Sequence, residues 1–252
     1  DWDEQRFGGR IGLGYRLTPD LSLSATLRGE QVYIHDPRVL TVPELNAALG
    51  ESDLFSSRIA VVHDTRDIPF APSEGHLFEM AYEQVFGSFD YPRGTVDIRQ
   101  YFMVNERPDG SGRHTLSYGL RLGVTGSQTP IFENYFAGGF STMRGFDFRG
   151  ASPKNQGVIV GGELRFLGSV EYMVPLSADD MLRGVFFTDF GTVEEQLSIH
   201  SEDFRVVVGF GLRVSIPMMG PAPLALDLAF PLAREDTDDI RNFSFFFGFG
   251  RL

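Results

Sequence analysis

The chain has 252 residues, with 22 Lys and Arg against 34 Asp and Glu, for a formal net charge of −12. That sign excludes an ordinary nucleic-acid binder, which needs surplus cations to neutralise phosphates. The absence of cysteine excludes a disulfide framework, a zinc finger and a thiol nucleophile. No apolar run approaches the roughly 20 residues of a spanning helix. Two residue types dominate the impression, 24 Phe and 29 Gly, and Lys154 is the only lysine.

Apolar and polar residues alternate with period two along most of the chain, which predicts strands over 7–17, 21–34, 54–64, 76–87, 94–104, 114–125, 158–174, 182–192, 204–216, 223–232 and 242–252. In 114–125, Leu116, Tyr118, Leu120, Leu122 and Val124 share one face, and Thr115, Ser117, Gly119, Arg121 and Gly123 share the other. In 204–216, Val206, Val208, Phe210 and Leu212 oppose Arg205, Gly209, Gly211 and Arg213. Between the second and third strands, Thr41-Val42-Pro43-Glu44 reads as a capping box with proline in the first turn, and Gly50 as the helix stop. Its apolar residues, Leu45, Ala48 and Leu49, are expected to pack on a barrel mouth.

Strand length decides the architecture. Soluble strands average about 5–6 residues, and a tilted strand crossing a bilayer needs about 9–11. The eleven segments average about 12. Their polar faces are rich in Gly, Ser, Thr and Arg, as in a crowded wet lumen, and their apolar faces in Leu, Val, Ile and Phe, as suits lipid. A sheet in a bilayer must pair all its backbone groups. The expected fold class is therefore all-β, an antiparallel transmembrane β-barrel. The connections agree: one set totals 77 residues and the alternate set 36, the long-outside, short-periplasmic asymmetry of such barrels.

Signals of catalysis are weak. His35, His63, His76, His114 and His200 have no metal-ligand spacing. His63 and Asp64 are adjacent in a strand and so point to opposite faces. Gly12/Gly14 and Gly209/Gly211 lie inside strands with no following helix, so they are not dinucleotide loops; as lumen glycines they would leave space for an inserted loop. The acidic run at 235–239 lacks the glycine and glutamate of an EF-hand and reads as a solvated turn. No catalytic residue, metal or cofactor is assigned.

One connection differs. Residues 131–150 are aromatic and glycine-rich although they belong to the longest loop, 126–157. Such a loop should fold inward and plug part of the lumen. Arg144 would then need carboxylate partners, and Glu171 and Asp189 face the lumen on the following strands. A guanidinium suits the task because its planar fork bonds carboxylates bidentately.

At these residues the chain resembles the C-terminal barrel of the BamA superfamily of outer-membrane insertases and translocators. Asp64-Thr65-Arg66-Asp67 through Pro72 and Gly75 resembles its periplasmic-turn signature. Gly138-Gly139 followed by Met143-Arg144-Gly145-Phe146 resembles its loop motif, with Met143 where valine or isoleucine is commoner. Glu171, and Phe187 through Gly191 with Asp189, resemble its lumen acid and its F-x-D-x-G strand. The segments 208–217, 226–231 and 243–248 resemble its last three strands.

The resemblance implies about sixteen strands, so these eleven are the C-terminal portion of a barrel occupying 1–252, with the first strands and the POTRA domains outside this sequence. It implies that Arg144 is bound to Glu171 and Asp189 inside the lumen. It also implies a weak seam at the last strand, where Phe243, Phe245 and Phe247 precede Gly248, the glycine at which that strand bends. The expected function is insertion of β-barrel proteins into the bacterial outer membrane through that seam, without ATP. Partners would be outer-membrane lipids, unfolded barrel clients, accessory lipoproteins and periplasmic chaperones. A TamA-like or two-partner secretion translocator of one dedicated client is the alternative, and an outer-membrane protease or lipase a second.

Overall fold

The computed structural model describes residues 2–39, 42–69, 71–215 and 224–247. Eleven long strands form one antiparallel sheet in chain order: β1 (Asp3–Arg16), β2 (Leu21–His35), β3 (Gly50–Asp64), β4 (Gly75–Gly87), β5 (Tyr91–Asn105), β6 (His114–Thr125), β7 (Leu164–Pro175), β8 (Leu182–Glu194), β9 (Arg205–Val214), β10 (Leu224–Ala233) and β11 (Phe243–Phe247). Each pairs with its sequence neighbours as an up-and-down meander. Among the described residues β1 and β11 do not pair with each other, so the sheet is open.

Strand parity assigns the faces. Outward positions carry Phe55, Ile59, Met80, Tyr82, Phe186 and Phe210, all exposed. With no second protein layer over them among the described residues, they form the apolar band that a bilayer requires. Inward positions alternate with these and carry Arg99, Arg121, Glu171, Asp189, Arg213 and Asp227 among small residues. Register is continuous apart from irregularities at Met103/Asn105 and Val206/Val207.

The seventh strand differs from the sequence expectation, beginning at Leu164 and not at 158. Val158–Ile159 instead pairs with Lys154–Asn155 as a small hairpin of the long loop. A short apolar run reads alike in a strand and in a buried loop. The predicted 41–50 helix is one turn, Pro43–Asn46, with no side-chain cap on Val42; Thr41 lies outside the described residues. Gly50, read as its stop, has φ +95° and opens β3. Leu45 and Ala48 are nonetheless buried at the long-loop end of the barrel, in a cluster with Val32, Ile34, Leu54, Val85, Ile131 and Phe132.

A second apolar cluster lies inside the sheet: Ala137, Met143, Phe146 and Ala151 from the long loop pack on Leu167, Val185, Phe187, Val193, Val207 and Ala229 from the strands. The loop thus enters the concave side and becomes its core. Apolar burial favours that path for so aromatic a segment.

Candidate functional site: the loop anchored in the lumen

The loop narrows to a tight hairpin. Gly139 and Met143 form an antiparallel bridge, and the Thr142 hydroxyl accepts from the Gly138 N–H at 3.0 Å and donates to the Gly138 carbonyl at 2.7 Å. Gly138 and Gly139 have φ of +117° and +89°, a left-handed region open to glycine. Gly145, next to Arg144, has φ +87°, and a Cβ there would lie 3.0 Å from a Val207 methyl. At the tip, the Phe140 ring stacks on Phe246 with centroids 4.4 Å apart, and the Ser141 carbonyl accepts from Arg121 at 2.7 Å. Gly145–Phe146 then pairs with Ile240–Arg241, between β10 and β11.

Arg144 is 1% exposed, and Asp189 is fully buried. The guanidinium grips Asp189 with two donors, Nε at 2.8 Å and Nη2 at 2.7 Å, and the Arg144 backbone N–H adds a third contact at 3.1 Å. Nη2 also reaches Glu171 at 2.6 Å, and Nη1 lies 3.6 Å from Asp227. The Ser169 hydroxyl donates to Asp189 at 2.7 Å and accepts from Nη2 at 3.3 Å. The Phe187 ring lies under the guanidinium, 3.4 Å from its carbon, in a cation–π contact. Burial alone would pull the arginine's pKa down; the charges of Glu171 and Asp189 outweigh it and hold the group above its ordinary value.

Ser169 and Asp227 were missed from the sequence. Asp227 had a readable signal, being the lone acid on an inward face otherwise made of Ala225, Ala229, Pro231 and Ala233. Gly209 and Gly211 serve differently from the expectation: a Cβ at Gly209 would strike the Phe187 ring, and one at Gly211 the Asp227 carboxylate. They make room for side chains of neighbouring strands and not for the loop. Gly191 has φ +147° and a Cβ there would collide with the Phe166 carbonyl, so it serves a close strand approach.

A second anchor, also missed, holds the loop's entry. Buried Glu133 is bonded by Arg6 at 2.7 Å and Arg93 at 3.1 Å, with Arg28 at 3.6 Å, linking the loop to β1, β5 and β2. Burial would raise its pKa, but the Arg6 hydrogen bond and the charges of Arg28 and Arg93 prevail and lower it. The Tyr135 ring lies between Arg93 and Arg165, at 4.5 and 4.7 Å. It covers Gly123, whose hypothetical Cβ would sit 2.6 Å from the ring. The acidic run at 235–239 is not merely a solvated turn: Asp238 is buried against Arg205 at 2.9 Å, and Asp239 bonds Lys154 at 2.8 Å.

The remaining singled-out residues lie elsewhere. Phe243 and Phe245 are exposed on β11, and Phe247 belongs to that strand by its backbone; Gly248 lies outside the described residues. His63 contacts His76 (2.7 Å between ring nitrogens), while Asp64 bonds Arg66. Sequence spacing gave the histidines no ligand partners, yet folding brings Glu194, His200 and Asp203 within 4.8 Å of one another, and likewise Asp3, His35 and Asp36. Both groups lie at the long-loop end, away from Arg144.

A meander with an apolar exterior and a charged interior, plugged by its own longest loop, defines the class: a bacterial outer-membrane β-barrel. The Omp85 superfamily domain matches residues 1–250, and the chain belongs to that superfamily. It is 24% identical over 250 residues to the outer membrane protein assembly factor BamA of Nitratidesulfovibrio vulgaris, covering 96% of this chain and 30% of the relative. It is 29% identical over 213 residues to a SAM50-like protein of Drosophila melanogaster, covering 77% of this chain and 44% of that one. The chain therefore spans less than half the length of these curated relatives. The crystal structure of BamA from Haemophilus ducreyi lacking POTRA domains 1–3 superposes with a TM-score of 0.80 at 17% identity, over 97% of this chain and 54% of that one.

Proposed function

We propose that this chain is the barrel portion of an outer-membrane assembly factor that inserts and folds β-barrel clients into the outer membrane. Membership of the Omp85 superfamily and similarity to a protein described as an assembly factor support the reading. The observation that carries it is the Arg144 cluster: three buried charged groups, Arg144, Asp189 and Asp227, and the half-buried Glu171 fix one hairpin inside a barrel. Burying charges is costly, and a hairpin that merely filled space would need none of them. Met143, Arg144, Gly145 and Phe146, with Glu171 and Asp189, are accordingly assigned as the loop lock, supported by Gly138, Gly139, Phe187 and Gly191.

In this reading β11 supplies the seam, through Phe243, Phe245, Phe247 and Gly248. An edge strand with unpaired N–H and C=O groups templates an incoming strand by β-augmentation. The client's own hydrogen-bond closure and apolar burial drive insertion without ATP. Membrane lipids, unfolded barrel clients, accessory lipoproteins and periplasmic chaperones are the partners. The test replaces the full-length protein in cells by its Arg144→Ala variant and follows the heat-modifiable, folded fraction of a client barrel. A fall in that fraction, with the variant itself folded in the membrane, is expected; undiminished client folding would overturn the assignment.

A further inference from the structure

Below the anchored hairpin, towards the short turns, the lumen holds a cavity of about 90 Å³ lined by Arg99, Tyr101, Arg121, Met173, Arg183 and Arg213, among others. Two of these arginines stand in direct register: Arg183 on β8 faces Arg213 on β9. Like charges directly opposite on one sheet face repel, so the pair needs a compensating anion. The carboxylates nearby are already engaged: Glu171 also lines the cavity but pairs with Arg144. Asp227 binds Arg213 through both carboxylate oxygens and is shared with Arg144. No described carboxylate lies within 4.0 Å of Arg183. Among the described residues its Nε is buried with no hydrogen-bond partner, and its Nη1 meets only the Met173 sulfur, at 4.0 Å.

A buried donor left unmade is expensive, and an unpaired guanidinium in a confined lumen more so. The cavity is the space into which a partner would fit. The space is large enough for several waters or for one carboxylate or phosphate group. The Thr115, Ser117 and Ser215 side chains also line it and offer hydroxyl donors. Planar guanidinium forks suit oxyanions of this size.

We propose that this cavity is an oxyanion site, with Arg183 as its principal ligand and Arg213 as its second. The group bound is a carboxylate or a phosphate held at the turn side of the hairpin. It completes the charge balance that Glu171 and Asp227, held by Arg144 and Arg213, leave unfinished.

The test uses the ¹⁵N side-chain resonance of the Arg183 Nε–H in the full-length protein folded in detergent micelles, titrated separately with sodium acetate and inorganic phosphate at constant ionic strength. Saturable movement of that resonance is expected, with affinity about tenfold or more weaker when calorimetry is repeated on Arg183→Gln. Arg38→Gln, at an exposed arginine on the opposite end, should bind like the parent. Saturation by acetate alone assigns a carboxylate, and by phosphate alone a phosphate; either supports the site. A linear, non-saturating response to both anions, or equal affinity in Arg183→Gln with the barrel shown folded by its heat-modifiable migration, would overturn it.

Discussion

Arg144 contributes through geometry as well as through charge. Its fork spans both oxygens of Asp189 while one arm is shared with Glu171. Arg144→Ala would leave Asp189 buried without its cation, a loss of about 3–5 kcal/mol. Arg144→Lys would keep the charge but lose the fork, and should recover only part of that stability. Urea unfolding of the three forms in micelles checks the order. Gly145→Ala adds a different cost, about 1–2 kcal/mol for a left-handed backbone, besides pressing on Val207. The same method should rank it milder than Arg144→Ala.

At the scale of elements, the loop is held at two points, and the one at Glu133 responds to acid. The Glu133 pKa is depressed on folding, so its contribution is fully present above the unfolded value of about 4.3 and is lost as pH falls through the lower folded value. Limited proteolysis should leave residues 130–136 protected at pH 6 and 5, and open them only below about pH 4. Glu133→Gln should abolish that step and weaken the entry anchor at neutral pH, by about 1–3 kcal/mol, with the difference from the parent vanishing in acid. Gly123→Val tests the neighbouring contact: a side chain there displaces the Tyr135 ring from between Arg93 and Arg165. Proteolysis near residue 135 should then quicken at neutral pH, with β5 and β6 still paired.

The whole molecule is a sheet whose outside is oily and whose inside is charged. Phe210 sits near the middle of β9 and faces out. Phe210→Arg places a cation against lipid, at about 2–4 kcal/mol near the midplane. Folding into vesicles should fall steeply. Phe210→Leu should fold like the parent, and equal folding of the arginine variant would contradict the assignment of faces.

Much of this arrangement was legible in the sequence. Side chains alternate sides in any strand, so period-two patterning fixed which residues meet lipid and which meet the lumen, before any partner strand was known. Loop composition was legible for a related reason: a run as aromatic as 131–150 loses free energy in water wherever it goes. Strand parity likewise put Arg183 and Arg213 indoors. What only the tertiary structure decided is who meets whom. The register of β8 against β9 set two arginines face to face, and the loop's path chose Glu133 and Tyr135 as a second hold. It also gave Gly209 and Gly211 to Phe187 and Asp227. Such encounters join residues tens of positions apart, and their distances depend on sheet curvature and loop trajectory, which local patterning does not encode.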